Sequence, residues 1–148
     1  MQLDGEKIVS INAAGKKVGV VASRFNQEIT EGLLAAAKQQ LAASGITESD
    51  CQFLSVAGAI EIPYALQVLA KSGKFDCLVA LGCVIRGETP HFDYVCKMAQ
   101  EGALRVSLDE NIPVGFGVIT VNNKEQALAR FHVGGEAVAA ALELALIE

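Results

Sequence analysis

The sequence predicts an α/β fold, a three-layer α/β/α sandwich around a central four-stranded parallel sheet. Four short apolar runs, 17–23, 51–56, 78–85 and 113–120, alternate with longer stretches of helical period. The run 78–85 shows no polar alternation, as expected of a strand covered on both faces. Apolar residues make up 51% of the chain with no Trp, so burial rests on Ala, Val, Leu and Ile, the usual core of such folds. The 148 residues suit one domain, 1–148, with an N-terminal arm over 1–15 and a core that needs no disulfide or metal.

In the arm, Lys7 to Asn12 is the only strand-like piece. It is too short for a domain and reads as a lead or as an edge strand that docks on a neighbouring subunit. The strand 17–23 exits through Arg24-Phe25-Asn26. From Gln27, Ile29, Leu33, Leu34, Ala37 and Leu41 keep a helical period, and Ser44-Gly45 ends that helix. The strand 51–56 closes on Ala57-Gly58-Ala59. Pro63 is then expected to hold Ile62 extended before a helix marked by Tyr64, Leu66, Val68 and Leu69, which ends near Ser72-Gly73. Asp76 opens the third strand. Beyond Ile85 the chain turns polar at once, with Thr89 as cap and Pro90 at an early helical position. The helix that follows runs to Asn111, where Pro113 stops it and the fourth strand begins. Asn123 caps a short helix through Arg130, and Gly134-Gly135 are expected to separate it from a last helix, 136–147. Right-handed crossovers join the strands.

A net charge of -5 argues against a general nucleic-acid binder, though Arg86 and Arg130 could be focused in one anion-binding cleft. Cys51, Cys77, Cys83 and Cys96 lack the paired spacing of a zinc site; three of the four sit in apolar or amphipathic runs, and the set reads as small buried hydrophobes. With only His91 and His132 available, no metal site is expected. The start carries no signal-peptide pattern and no run is long and apolar enough to span a membrane, so a cytoplasmic protein is expected.

In a parallel sheet of this kind, ligands gather beyond the carboxyl ends of the strands. All four exits carry polar or aromatic residues, and the topology puts them on one rim. Successive N–H groups of Gly87, Glu88 and Thr89 at a helix start make a nest for an anion, although Thr before Pro is also a routine helix opening. His91, in the first turn of that helix, is an imidazole able to accept a proton near neutral pH, although a lone first-turn His is more often only a surface group. Phe25 offers a platform for a heterocycle and fits a core or interface role equally well. Glu61 can accept from substrate hydroxyls or cap its own helix. Arg130 can hold a phosphate or stand solvated at a helix end.

Taken together, Ser23-Arg24-Phe25-Asn26, Gly58-Ala59-Ile60-Glu61-Ile62-Pro63, the run Ala80 to Val95 with its Arg86-Gly87-Glu88-Thr89-Pro90-His91, and Pro113 to Thr120 resemble the 6,7-dimethyl-8-ribityllumazine synthase family. The match runs in order from about Val18 to Arg130, and 136–144 resembles the family's last helix. The resemblance implies a flavodoxin-like subunit assembled into a pentamer or a sixty-subunit icosahedral capsid, with active sites at subunit interfaces. It implies condensation of 5-amino-6-(D-ribitylamino)uracil with 3,4-dihydroxy-2-butanone 4-phosphate, without a cofactor, in riboflavin biosynthesis, with riboflavin synthase as a candidate partner. Phe25 would stack on the pyrimidine. Asn26 and Cys83 fall in the same pyrimidine and ribityl group, and Ala59 with Glu61 would hold the ribityl side. Gly87, Glu88 and Thr89 would receive the phosphate. Phe116 and Arg130 would come from the adjacent subunit, Arg130 to the phosphate, and His91 would manage proton transfers.

The chain departs from the family pattern in one place. A Gly-rich segment with a Lys commonly follows the phosphate Arg, whereas here Arg130-Phe131-His132-Val133-Gly134-Gly135 leads straight into the last helix. Either His132 replaces that Lys as a donor, which is the expectation, or the site works with Arg130 alone and binds the phosphate less tightly. The missing Lys also sustains a different class, a non-catalytic lumazine- or flavin-binding or capsid-forming homologue. A flavodoxin-like electron carrier is disfavoured, because the first strand exits through Arg24-Phe25-Asn26 rather than a hydroxyl-rich phosphate loop.

Overall fold

Four strands, β1 (Val18–Ser23), β2 (Cys51–Val56), β3 (Cys77–Ile85) and β4 (Val114–Val121), form one parallel sheet in the order β2-β1-β3-β4 in a computed structural model that describes residues 8–147. The side-chain period of two divides β1 between the layers. Val18 and Val20 enter a core cluster with Ala37, Leu41, Val138 and Leu142, whereas Val21 enters another with Ile62, Leu66, Ala99 and Ala103. One face is therefore covered by α1 (Gln27–Ala43) and α5 (Val133–Ala145), the other by α2 (Ile62–Lys71) and α3 (His91–Asp109). Cys77 to Cys83 is buried throughout, as the unbroken apolar run requires of a strand with helices on both sides.

The pairing Ser23↔Val56 and Ile85↔Val121 brings all four carboxyl ends to one edge. Backbone ladders continue past the strands: Arg24 and Phe25 donate to Val56 and Ala57 carbonyls at 2.8 and 3.0 Å, and Arg86 donates to Val121 at 2.9 Å. The exits are thus held in register with the sheet. A short helix, α4 (Lys124–Leu128), follows β4, capped as expected by the Asn123 side chain accepting from the Gln126 N–H at 2.9 Å.

Four expectations are corrected. Gly134 and Gly135 lie inside α5, which begins at Val133. Their role is close approach, since a Cβ on Gly134 would overlap the Leu33 carbonyl of α1. Ile62 is helical (φ -60°, ψ -48°), not extended, because a 3-10 turn over Ala59–Glu61 already feeds the helix and Pro63, in the first turn, needs no N–H. The cap position of α3 is Pro90, not Thr89, and α3 ends at Asp109, with Glu110 as its C-cap and Asn111 in the left-handed region (φ 52°). Within this chain Ile8 to Asn12 pairs with no strand, and Val9 exchanges two hydrogen bonds with the buried Gln40 side chain, both at 2.9 Å. The arm before residue 8 lies outside the described residues.

Candidate active site

Three of the four exits enclose a cleft of about 340 Å³, lined by Phe25, Asn26, Ala59, Glu61, Cys83 and His91 among others. The chain makes it by turning sharply after each strand. After β1, Asn26 takes the left-handed conformation (φ 59°, ψ 51°), which its short polar side chain tolerates better than most. Its Nδ2 donates to the Cys83 carbonyl at 3.0 Å, tying the β1 exit to β3. Phe25, just before this turn, is 69% exposed, so its ring is a surface of the cleft and not part of the core.

The β2 exit supplies a carboxylate. Glu61 accepts the Gly58 N–H at 2.8 Å. The ring of Phe25 and this carboxylate both crowd Gly58, where a Cβ would come within 3.2 Å of each. Platform and carboxylate are therefore set side by side by a residue that has no side chain. Both alternatives left open for Glu61 are compatible with this geometry, since one oxygen serves the turn and a carboxylate has further acceptor capacity.

His91 opens α3 at the cleft wall and is exposed, with its backbone N–H 3.4 Å from the Thr89 hydroxyl. Gly87, Glu88 and Thr89 are exposed beside it, outside the cleft lining. Cys83 meets the cleft where its carbonyl holds Asn26, while its side chain belongs to the apolar cluster of Ile29, Leu33 and Ile119. Burial pushes its thiol up to about 11 and that of Cys77 up to about 12; Cys51 and Cys96 are raised too, chiefly by burial. None is poised as a thiolate near neutral pH. At pH 8, Cys77 and Cys83 are expected to resist iodoacetamide in the native protein and to react fully once it is unfolded, a difference that mass spectrometry reads directly.

Phe116, Arg130 and His132 stand apart from this cleft. Phe116 faces α3, beside Ala103 and Ser107. Arg130 is half-buried after α4 with Nη1 donating to the Gln126 carbonyl at 2.7 Å, and no carboxylate pairs with it among the described residues. The His132 side chain is 6% exposed, with Nε2 4.0 Å from Glu136 Oε1. The Arg86 guanidinium lies 4.4 Å from the Phe92 ring centroid, and its Nε donates to Asn122 Oδ1. What sequence reasoning missed is the apolar wall of the cleft, Ile60, Val84, Ile85 and Val95. The signal was present for Val95, one helical turn beyond His91.

No helix among the described residues is long and apolar enough to cross a membrane. The family model described as 6,7-dimethyl-8-ribityllumazine synthase matches residues 15–148. A protein of that name from Kineococcus radiotolerans is similar at 47% identity, over 97% of this chain and 91% of its own. Namesakes from Azoarcus sp. (46%, over 91% of this chain and 87% of theirs) and Burkholderia cenocepacia (44%, over 95% and 83%) are similar along nearly the same span.

Proposed function

Because the chain belongs to the 6,7-dimethyl-8-ribityllumazine synthase family, we propose that its strand exits bind and condense 5-amino-6-(D-ribitylamino)uracil with 3,4-dihydroxy-2-butanone 4-phosphate. It is a transferase of riboflavin biosynthesis. The observation that carries the residue assignments is the single cleft shared by Phe25, Asn26, Ala59, Glu61, Cys83 and His91.

The chemistry needs holding and proton relay more than a protein nucleophile. An amine adds to the ketone and loses water to form an imine, phosphate leaves, and the second amine closes the ring with loss of another water. Phe25 gives the pyrimidine a flat surface, with Asn26 and the Cys83 backbone at its edge. Ala59 and Glu61 take the ribityl hydroxyls, and His91 moves protons at the reacting carbons. The N–H groups of Gly87, Glu88 and Thr89 receive the phosphate, where the dipole of α3 adds favourable potential.

Phe116 and Arg130 lie away from their own cleft, which supports their serving the cleft of a neighbouring subunit in a pentamer or a sixty-subunit capsid. The native particle mass separates these assemblies, and co-elution tests riboflavin synthase as a partner. A cytoplasmic location accompanies this role. Arg130→Ala is expected to raise KM for the phosphate-bearing substrate roughly tenfold to a hundredfold and to leave the pyrimidine's KM within about twofold. An equal loss for both substrates would assign Arg130 to structure. His132 is proposed to replace the missing Lys. Its nearly closed setting limits it to a single ring edge, so His132→Ala should raise the same KM only about threefold. Unchanged KM values would remove it from the site.

The missing Lys favours one second reading, a homologue that binds lumazine or flavin, or builds a capsid, without efficient synthesis. Mixing the two substrates and following the lumazine's absorbance and fluorescence decides between the readings. Turnover supports the enzyme; tight flavin binding without turnover supports the second.

A further inference from the structure

The segment from Gly87 to Pro90 has little to fasten it. It is exposed throughout, a Cβ on Gly87 would meet no atom within 4 Å, and the only side-chain hydrogen bond that any of its residues makes among the described residues is the 3.4 Å contact between the Thr89 hydroxyl and the His91 N–H. A loop of this length takes its shape from where its two ends are held. One end is Arg86, which continues the β3–β4 ladder through its N–H to the Val121 carbonyl. The other is the first turn of α3.

The Arg86 side chain spans those ends. Its Nε donates to Asn122 Oδ1 at 3.0 Å, on the β4 exit. Its guanidinium carbon sits 4.4 Å from the centroid of the Phe92 ring, and its Nη1 is 3.7 Å from Asp93 Oδ1, both in the first turn of α3. Asn122 is itself braced, its N–H donating to Gln126 Oε1 at 2.7 Å. The ion pair with Asp93 is half-exposed and contributes little by itself. A guanidinium over a ring and an Nε–H directed at Asn122, by contrast, fix orientation as well as distance, and the rotatable ammonium of a lysine cannot hold both at once.

We infer that Arg86 is a positioning residue: it brackets the β4 exit to the first turn of α3 and thereby sets the span across which Gly87, Glu88 and Thr89 gather their N–H groups on an anion. The inference rests on the proposal that those three residues receive the substrate phosphate. It assigns to Arg86 geometry and not contact with the phosphate, so planarity matters more than charge.

Steady-state kinetics on the full-length protein test this. Arg86→Lys keeps the charge and loses the stack and the Nε–H; it is expected to raise KM for the phosphate-bearing substrate about tenfold, with the pyrimidine's KM within about twofold. Asn122→Leu removes the acceptor and should do the same, whereas Asn122→Asp keeps an acceptor and should behave as the parent. Inhibition by inorganic phosphate should weaken in parallel in the first two variants. A parent-like KM for Arg86→Lys, or a harmless Asn122→Leu, overturns the bracket and leaves only charge. If Arg86→Lys folds poorly, Phe92→Leu supplies the same comparison, since it removes the ring and spares the Arg86–Asn122 bond. A parent protein that makes no lumazine defeats the functional proposal itself; an active parent with unaffected variants defeats the bracket alone.

Discussion

Replacing His91 by alanine is expected to lower turnover by about a hundredfold while leaving both KM values within a few-fold of the parent. The magnitude is that of a lost general acid–base group whose neighbours still hold the reactants. Among the described residues His91 is the one imidazole lining the cleft, in the first turn of α3 between the exposed segment 87–89 and the apolar wall at Val95. In the proposed reaction proton transfers recur at imine formation, phosphate loss and ring closure, so His91 as the proposed acid–base group would be used repeatedly. His91→Gln retains hydrogen bonding without proton transfer and should fall nearly as far. Truncation at an exposed helix start removes little packing, so thermal stability should move by no more than about 0.5 kcal/mol. Unchanged turnover would take His91 out of the mechanism, and a rise in both KM values at constant turnover would make it a binding residue instead.

The strand exits that build this cleft were legible because each is a local event. A short apolar run ends, and a turn residue with a functional group follows within a few positions, as at Phe25-Asn26 and at Gly87 to His91. The four strands were legible for the same reason: period, length and turn residues are all written within a few neighbours. What could not be read is contact between distant segments. Nothing near Asn26 announces that its amide will meet the Cys83 carbonyl, 57 residues on, nor that Asn122 will hold Arg86 across 36 residues. Ile62 was misread because a local rule about the residue before proline yielded to the 3-10 turn that precedes it. Gly134-Gly135 were misread because a glycine pair at a helix start looks like an interruption, and only the position of α1 shows that it is a contact.

That pair yields the second large effect. Gly134→Ala is expected to destabilise the fold by about 1–3 kcal/mol, and Gly135→Ala, one residue later, to lie within about 0.5 kcal/mol of the parent. A Cβ on Gly134 would overlap the Leu33 carbonyl, a backbone atom that can yield only if α1 and α5 part. On Gly135 the nearest atom is the Ala36 carbonyl at 3.3 Å, a crowding of a few tenths of an ångström that the better helix propensity of alanine offsets. Gly115 enforces the same closeness on the other side of α5, because a Cβ there would overlap the Ala137 carbonyl. Helix α5 is therefore wedged between β4 and α1 by backbone contact on two sides. For a chain of this size the Gly134 variant should melt roughly 2–10 °C lower at equal protein concentration, with Gly135→Ala nearly unchanged. The turn carrying Arg130 and His132 leads directly into α5, so any Gly134→Ala protein that still folds should also bind the phosphate-bearing substrate less tightly. Equal melting temperatures for the two variants would show that α1 and α5 are not packed at backbone contact, and would return the glycine pair to the helix separator that the sequence suggests.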